Sequence, residues 1–142
     1  MSEIPGWFDF PQVYAELVNT YPSESRFVEV GVWMGKSFCF LGECVKYSGK
    51  DIKIYAVDTW AGSDEEAHQK TIAELGGDDK LMEQFLKNVA DRELEDITYI
   101  HRLPSVEAAA KFEDESLEVV FIDASHKYED VIADIKAWWP KI

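Results

Sequence analysis

Residues 26–37 read Arg-Phe-Val-Glu-Val-Gly-Val-Trp-Met-Gly-Lys-Ser, and no other stretch narrows the possible folds as far. Phe27, Val28 and Val30 give the β-branched and aromatic character of a buried strand. Gly31 and Gly35 then let the backbone turn sharply and approach a ligand that a Cβ would hold off. A helix that follows such a turn leaves its first N–H groups unpaired and pointing outward, where they suit a polar or anionic group. Strand, glycine turn and helix in this order make a βα unit, which is either a small-molecule site or a plain turn that binds nothing.

Spacing narrows the choice of ligand. A phosphate-binding loop has four residues between its first glycine and Gly-Lys-Ser/Thr, whereas three separate Gly31 from Gly35-Lys36-Ser37. That argues against a nucleoside triphosphate hydrolase. A dinucleotide fingerprint needs glycine where Trp33 stands. The pattern present is Glu29-x-Gly31-x-x-x-Gly35, with the carboxylate at the end of the strand. Such an acid repels phosphate and suits an ammonium or sulfonium group. The arrangement resembles the first motif of class I S-adenosylmethionine-dependent methyltransferases.

Along the chain, strands alternate with helices. A first helix is expected from Asp9 as N-cap, with Val13, Tyr14, Leu17 and Val18 on its packed face. The helix after the glycine turn should run from about Lys36 to Tyr47 and stop at Ser48-Gly49. It carries Cys39 and Cys44, the only cysteines, which read as buried thiols and form neither a disulfide nor a zinc site. Ile52–Asp58 reads as a second strand, 65–75 as a polar helix, and the segment from Gly62 to Asp79 as part of a lid over the pocket. Gly76-Gly77-Asp78-Asp79 opens a helix that buries Leu81, Phe85, Leu86 and Val89. Ile97–Ile100 is a third strand, Ser105 caps a short helix with Val106 and Ala108–Ala110, Leu117–Asp123 is a fourth strand, and Tyr128–Trp138 a last helix. This alternation implies an α/β fold, a Rossmann-like doubly wound parallel sheet with helices on both faces and a ligand beyond the carboxyl ends of the strands.

Several residues at those ends can do chemistry. Asp58 follows Gly31 by 27 positions and closes the second strand. Its carboxylate can accept both hydroxyls of a ribose, or can cap the next turn. Trp60 can stack on a base or simply pack, and Ser105 can touch a base as well as cap its helix. Asp123 and His126 end the fourth strand three residues apart. Asp123 can hold a divalent cation such as Mg²⁺, and His126 can take a proton from a hydroxyl near neutral pH; alternatively they are a turn cap and a solvated loop residue.

Phe121-Ile122-Asp123-Ala124-Ser125-His126-Lys127-Tyr128, followed by Val131, Asp134-Ile135 and Trp138-Trp139-Pro140, is similar to the fourth-strand motif of one methyltransferase branch. That branch includes metal-dependent O-methyltransferases of sugars and other small hydroxylated molecules, and Val57-Asp58-Thr59-Trp60 and the Phe85–Asn88 helix resemble it too. The resemblance implies that Glu29, Gly31 and Gly35, with Ser37 beside them, hold the methionine part of S-adenosylmethionine. It implies Asp58 for the ribose, Ser105 for the adenine, Asp123 for a metal and His126 as general base.

The family continues past the point matched by Ile142 with a fifth strand and further acidic metal ligands. The expectation is therefore one domain over 1–142, truncated to about four strands in the order 3-2-1-4. Two functions follow: methyl transfer to a hydroxyl of a small molecule, or a half-domain that binds the cofactor without catalysis. An exposed apolar fourth strand would invite pairing with a second copy. The 28 acidic and 14 basic side chains leave a net charge of −14, which disfavours nucleic acid and anionic membranes as partners. The N-terminal residues lack the pattern of a signal peptide, so a cytoplasmic location is expected.

Overall fold

Strands with β-branched and aromatic residues on both faces need cover on both sides, and the computed structural model provides it. It describes residues 3–63, 65–123 and 127–142. The strands are β1 (Arg26–Val30), β2 (Lys53–Asp58), β3 (Thr98–Arg102) and β4 (Val119–Ile122). They form one parallel sheet in the order β3-β2-β1-β4. The helices are α1 (Pro11–Thr20), α2 (Lys36–Ser48), α3 (Glu66–Leu75), α4 (Asp78–Asp91), α5 (Ser105–Ala109) and α6 (Tyr128–Trp138).

The period of two along each strand divides the core. Phe27, Ile54 and Ala56 face a layer with Tyr14 and Val18 of α1, Phe38 and Leu41 of α2 and Phe85 of α4. Val28, Val30, Tyr55 and Val57 face the opposite layer, where Ala108 and Ala109 of α5 meet Trp138 of α6. Each large side chain fully removed from water here contributes roughly 1.5–3 kcal/mol. The sheet's polarity does the rest: β1, β2 and β4 all deliver their C-terminal ends to one edge. Two bonds carry the pairing past the assigned ends, from the Gly31 amide to the Val57 carbonyl and from the Asp123 amide to the Val30 carbonyl, at 2.8 and 2.9 Å.

Several local expectations are corrected. Phe10, not Asp9, precedes the first turn of α1, and no side chain caps that helix. Val13 and Leu86 are exposed, so the buried stripes of α1 and α4 are narrower than their apolar content. Cys39 is buried but Cys44 only half so. β3 starts and ends later than expected and β4 is shorter at both ends, although Leu117 stays buried outside it. Among the described residues no helix is long and apolar enough to cross a membrane.

Candidate functional site

The loop after β1 is wound tightly. Gly31, Trp33 and Gly35 all have positive φ, at 85°, 54° and 90°. For Trp33 this conformation is strained and must be held by its surroundings. Asp58 holds it: the Trp33 amide donates to Asp58 Oδ2 at 2.9 Å, and the Trp60 amide donates to Oδ1 at 2.8 Å. Trp60, also at positive φ, returns the bond by donating its Nε1–H to the Trp33 carbonyl at 2.9 Å. One carboxylate thus fastens the loop after β1 to the loop after β2. Burial raises the pKa of Asp58, and the backbone amides aimed at it pull the other way. Those amides include Val32 and Thr59, and the carboxylate itself stands half-buried where the two loops meet.

Beside this clamp lies a cavity of about 840 Å³, within the usual size of small-molecule sites. Gly31, Trp33 and Ser37 form its wall at the glycine turn, and Asp58 and Thr59 follow at the end of β2. Leu103, Pro104 and Ser105 close it beyond β3, and Asp123 stands at the end of β4. The sheet edge therefore brings Gly31, Ser37, Asp58, Ser105 and Asp123 to one cavity, as their positions at strand ends predict. His126 lies outside the described residues.

Three of the expected residues do not line the cavity. Trp60 is fully buried and packs edge-on against Phe85 with ring centres 5.2 Å apart, so it belongs to the core and not to a base-stacking wall. Gly35 does not line the cavity; its left-handed φ turns the chain into α2, and a Cβ there would face Cys39 Sγ at 3.5 Å. Glu29, 1% exposed, sits beneath the cavity wall. Its Oε1 accepts from the Tyr14 hydroxyl at 2.7 Å and its Oε2 from the Ser37 hydroxyl at 3.1 Å. Burial pushes its pKa up to about 7 even though both hydrogen bonds favour the charged form. Tyr14, buried beside that carboxylate, has its phenol held far above the usual range. Ser37, which lines the cavity, links the acid to it.

Ser105 lines the cavity as expected, yet it is no cap. Pro104 occupies the position before α5, and Ser105 Oγ accepts the Trp138 indole N–H at 2.9 Å. The hydroxyl is thereby tied to α6. Asp123 is exposed, and among the described residues no group of three or more His, Cys, Asp or Glu gathers in a way that could hold a metal ion. One carboxylate falls short of an Mg²⁺ site of ordinary composition.

Residues that the sequence reading passed over complete the wall. His68 of α3 stacks on Trp33 with ring centres 4.5 Å apart. Its Nδ1 takes the Ser63 amide at 3.2 Å, which leaves the ring proton on Nε2 in the neutral form. Gln69 Nε2 donates to the carbonyls of Ala61 and Ser63 at 3.0 and 2.8 Å, fixing α3 over the turn after β2. Ala67, His68 and Thr71 present one face of α3 to the cavity, within the segment read from the sequence as part of a lid. The signal was available: His68 and Thr71 are three residues apart and so share one face of the helix. Trp7, ahead of α1, also lines the cavity and carried no motif.

A family described as "Methyltransferase domain" matches residues 28–142. The uncharacterized protein y4gI of Sinorhizobium fredii is 29% identical over 126 residues, covering 82% of this chain and 12% of that protein. Among solved structures, the O-methyltransferase NovP superposes with a TM-score of 0.66, with 17% identity over 92% of this chain and 59% of that one. The cofactor-bound structure of Rv0187 from MTB gives 0.62, with 14% identity over 96% of this chain and 53% of the other. The chain thus spans about an eighth of the curated relative's length and little more than half of each of these two solved chains.

Proposed function

This chain belongs to the methyltransferase-domain family, and from that premise we propose that its cavity binds S-adenosylmethionine and serves methyl transfer to a hydroxyl of a small molecule. The observation that carries the reading is Asp58. A half-buried strand-end carboxylate on the cavity wall, fixed by a backbone amide on each oxygen, is a preorganised acceptor for two adjacent hydroxyls, such as those of a ribose. The α2 N-terminus supports it: no side chain caps it, and its Ser37 and the turn at Gly31 line the cavity where the methionine part would lie. Leu103, Pro104 and Ser105 would border the adenine.

When bound, the cofactor supplies a methyl group on a sulfonium, already a good leaving group. The chain's task is then mainly to hold the two reactants in line and keep water out, which can supply a large part of the barrier reduction. The C–S bond breaks as the O–C bond forms, and the hydroxyl proton must leave. Asp123 stands on the cavity at the end of β4, and His126 is the proposed acceptor of that proton, on sequence alone. No step is assigned to a metal, because the described residues do not gather the carboxylates for one.

Calorimetric titration with S-adenosylhomocysteine tests the reading. Wild type should bind at micromolar Kd, equivalent to about 8 kcal/mol, and Asp58→Ala should lose that binding while its circular dichroism stays that of a folded chain. Asp58→Asn, which keeps one capping oxygen, separates loss of the ligand contact from loss of the clamp. A folded wild type that does not bind the compound would remove the proposal. Binding without methylation of any hydroxylated acceptor would favour the non-catalytic half-domain.

A further inference from the structure

The cofactor reading leaves one part of the cavity without a role. Residues ahead of α1 cross its rim as a strap with two fixed ends. Ile4 is buried in the core, and Phe8 packs edge-on against Tyr14 and Phe40 with ring centres 4.8 and 5.1 Å apart. Between these anchors Lys36 Nζ donates to the Gly6 carbonyl at 3.2 Å. Gly6, at φ +138°, lies close enough to α2 that a Cβ would meet Lys36 Cβ at 3.8 Å. Trp7 sits on this pinned strap, lines the cavity, and is nevertheless 82% exposed. An indole usually buries most of its large apolar surface, so one kept open beside a cavity by neighbours held on both sides is available to a ligand.

Its place along the cavity says which ligand. The strap is tied to Lys36 at the start of α2, next to the glycine turn. That is the end where the methionine part, and hence the transferable methyl, would lie. A group seated there is the acceptor rather than the nucleoside. Charge narrows it further. Among the described residues lining the cavity, Asp58, Glu65, Asp123 and Asp130 are acids and Lys36 and Lys127 are bases, on a chain of net charge −14. Anionic acceptors are repelled.

We propose that Trp7 is the platform on which the methyl acceptor stacks, and that the acceptor is a flat hydroxylated ring without negative charge. This rests on the reading that the cavity binds S-adenosylmethionine. The test follows the ¹⁵N-labelled indole N–H resonances of the full chain saturated with S-adenosylhomocysteine, with Trp7 assigned by its disappearance in Trp7→Phe. Catechol is the neutral probe and 3,4-dihydroxybenzoate the anionic one. Catechol should move the Trp7 resonance and dihydroxybenzoate should not. Trp7→Ala should weaken catechol about tenfold, Trp7→Phe should largely retain it, and both should keep the affinity for S-adenosylhomocysteine. An unmoved Trp7 resonance, or equal catechol affinity in Trp7→Ala, overturns the platform; equal binding of the anion overturns the charge preference. If S-adenosylhomocysteine itself fails to bind the folded chain, the cofactor reading has failed and the platform falls with it.

Discussion

Glu29 holds a proton to a pH at which a solvated glutamate would have lost it. Burial raises its pKa from the ordinary 4.5 to about 7, and the nearby Asp123 and Asp58 carboxylates push in the same direction. Between those values the folded chain keeps a proton that the unfolded chain has released. Stability from this group is therefore complete below pH 4.5 and is lost as pH rises through about 7, by about 3 kcal/mol in all. Glu29→Gln should flatten that slope, since an amide can accept from Tyr14 and satisfy Ser37 without carrying charge. Unfolding free energy measured at intervals across this range decides it; an unchanged slope would mean that Glu29 ionises normally. The sequence placed the acid at the end of β1 but could not disclose that its environment is protein rather than ligand. Its first partner, Tyr14, stands 15 residues earlier on another element. For Trp60 the sequence left stacking and packing open for the same reason, because burial against Phe85 is decided by packing and leaves no trace in the residues around it.

Elements were more legible than contacts. The alternation of strand and helix and the ends of α2 and α6 follow from periodicity and glycine placement, which act locally, whereas the order of the strands followed from the family resemblance. The Ser105 cap did not follow, because the Trp138 indole, 33 residues on, claims that hydroxyl. The helix α3 was readable as a lid, but the attachment that holds it was not. At Gly62, φ is +72°, and a Cβ would lie 2.8 Å from Ile72 Cδ1 and 3.2 Å from His68 Cβ. Gly62→Ala should thus strain the turn and push α3 off its seat, costing roughly 1–3 kcal/mol locally. Hydrogen exchange should accelerate across residues 66–75 and stay slow in β1 and β2. Equal protection of α3 in both proteins would show that its seat lies elsewhere.

At the scale of the molecule, β4 stands at the edge of the sheet among the described residues, with Val120, Phe121 and Ile122 only half-buried. An edge of this kind pairs readily, and we propose a second copy of the chain as a partner for it. Sedimentation velocity should give a dimer that S-adenosylhomocysteine does not dissociate; a monomer at every concentration tested would remove that expectation.

The place of β4 also sets an order of assembly. β1 meets β2 after a short crossover, with Val28 opposite Tyr55, whereas β4 joins it only when a span of 92 residues closes, as between Arg26 and Glu118. Closing the longer loop costs about 1 kcal/mol more in chain entropy, and nothing repays it until the strands are in register. The strands that carry Gly31 and Asp58 can accordingly pair while Asp123 is still far away. The clamp between the two tryptophan turns forms early, and the rim where chemistry would occur arrives last, as a late-docking segment on a half-built receptor.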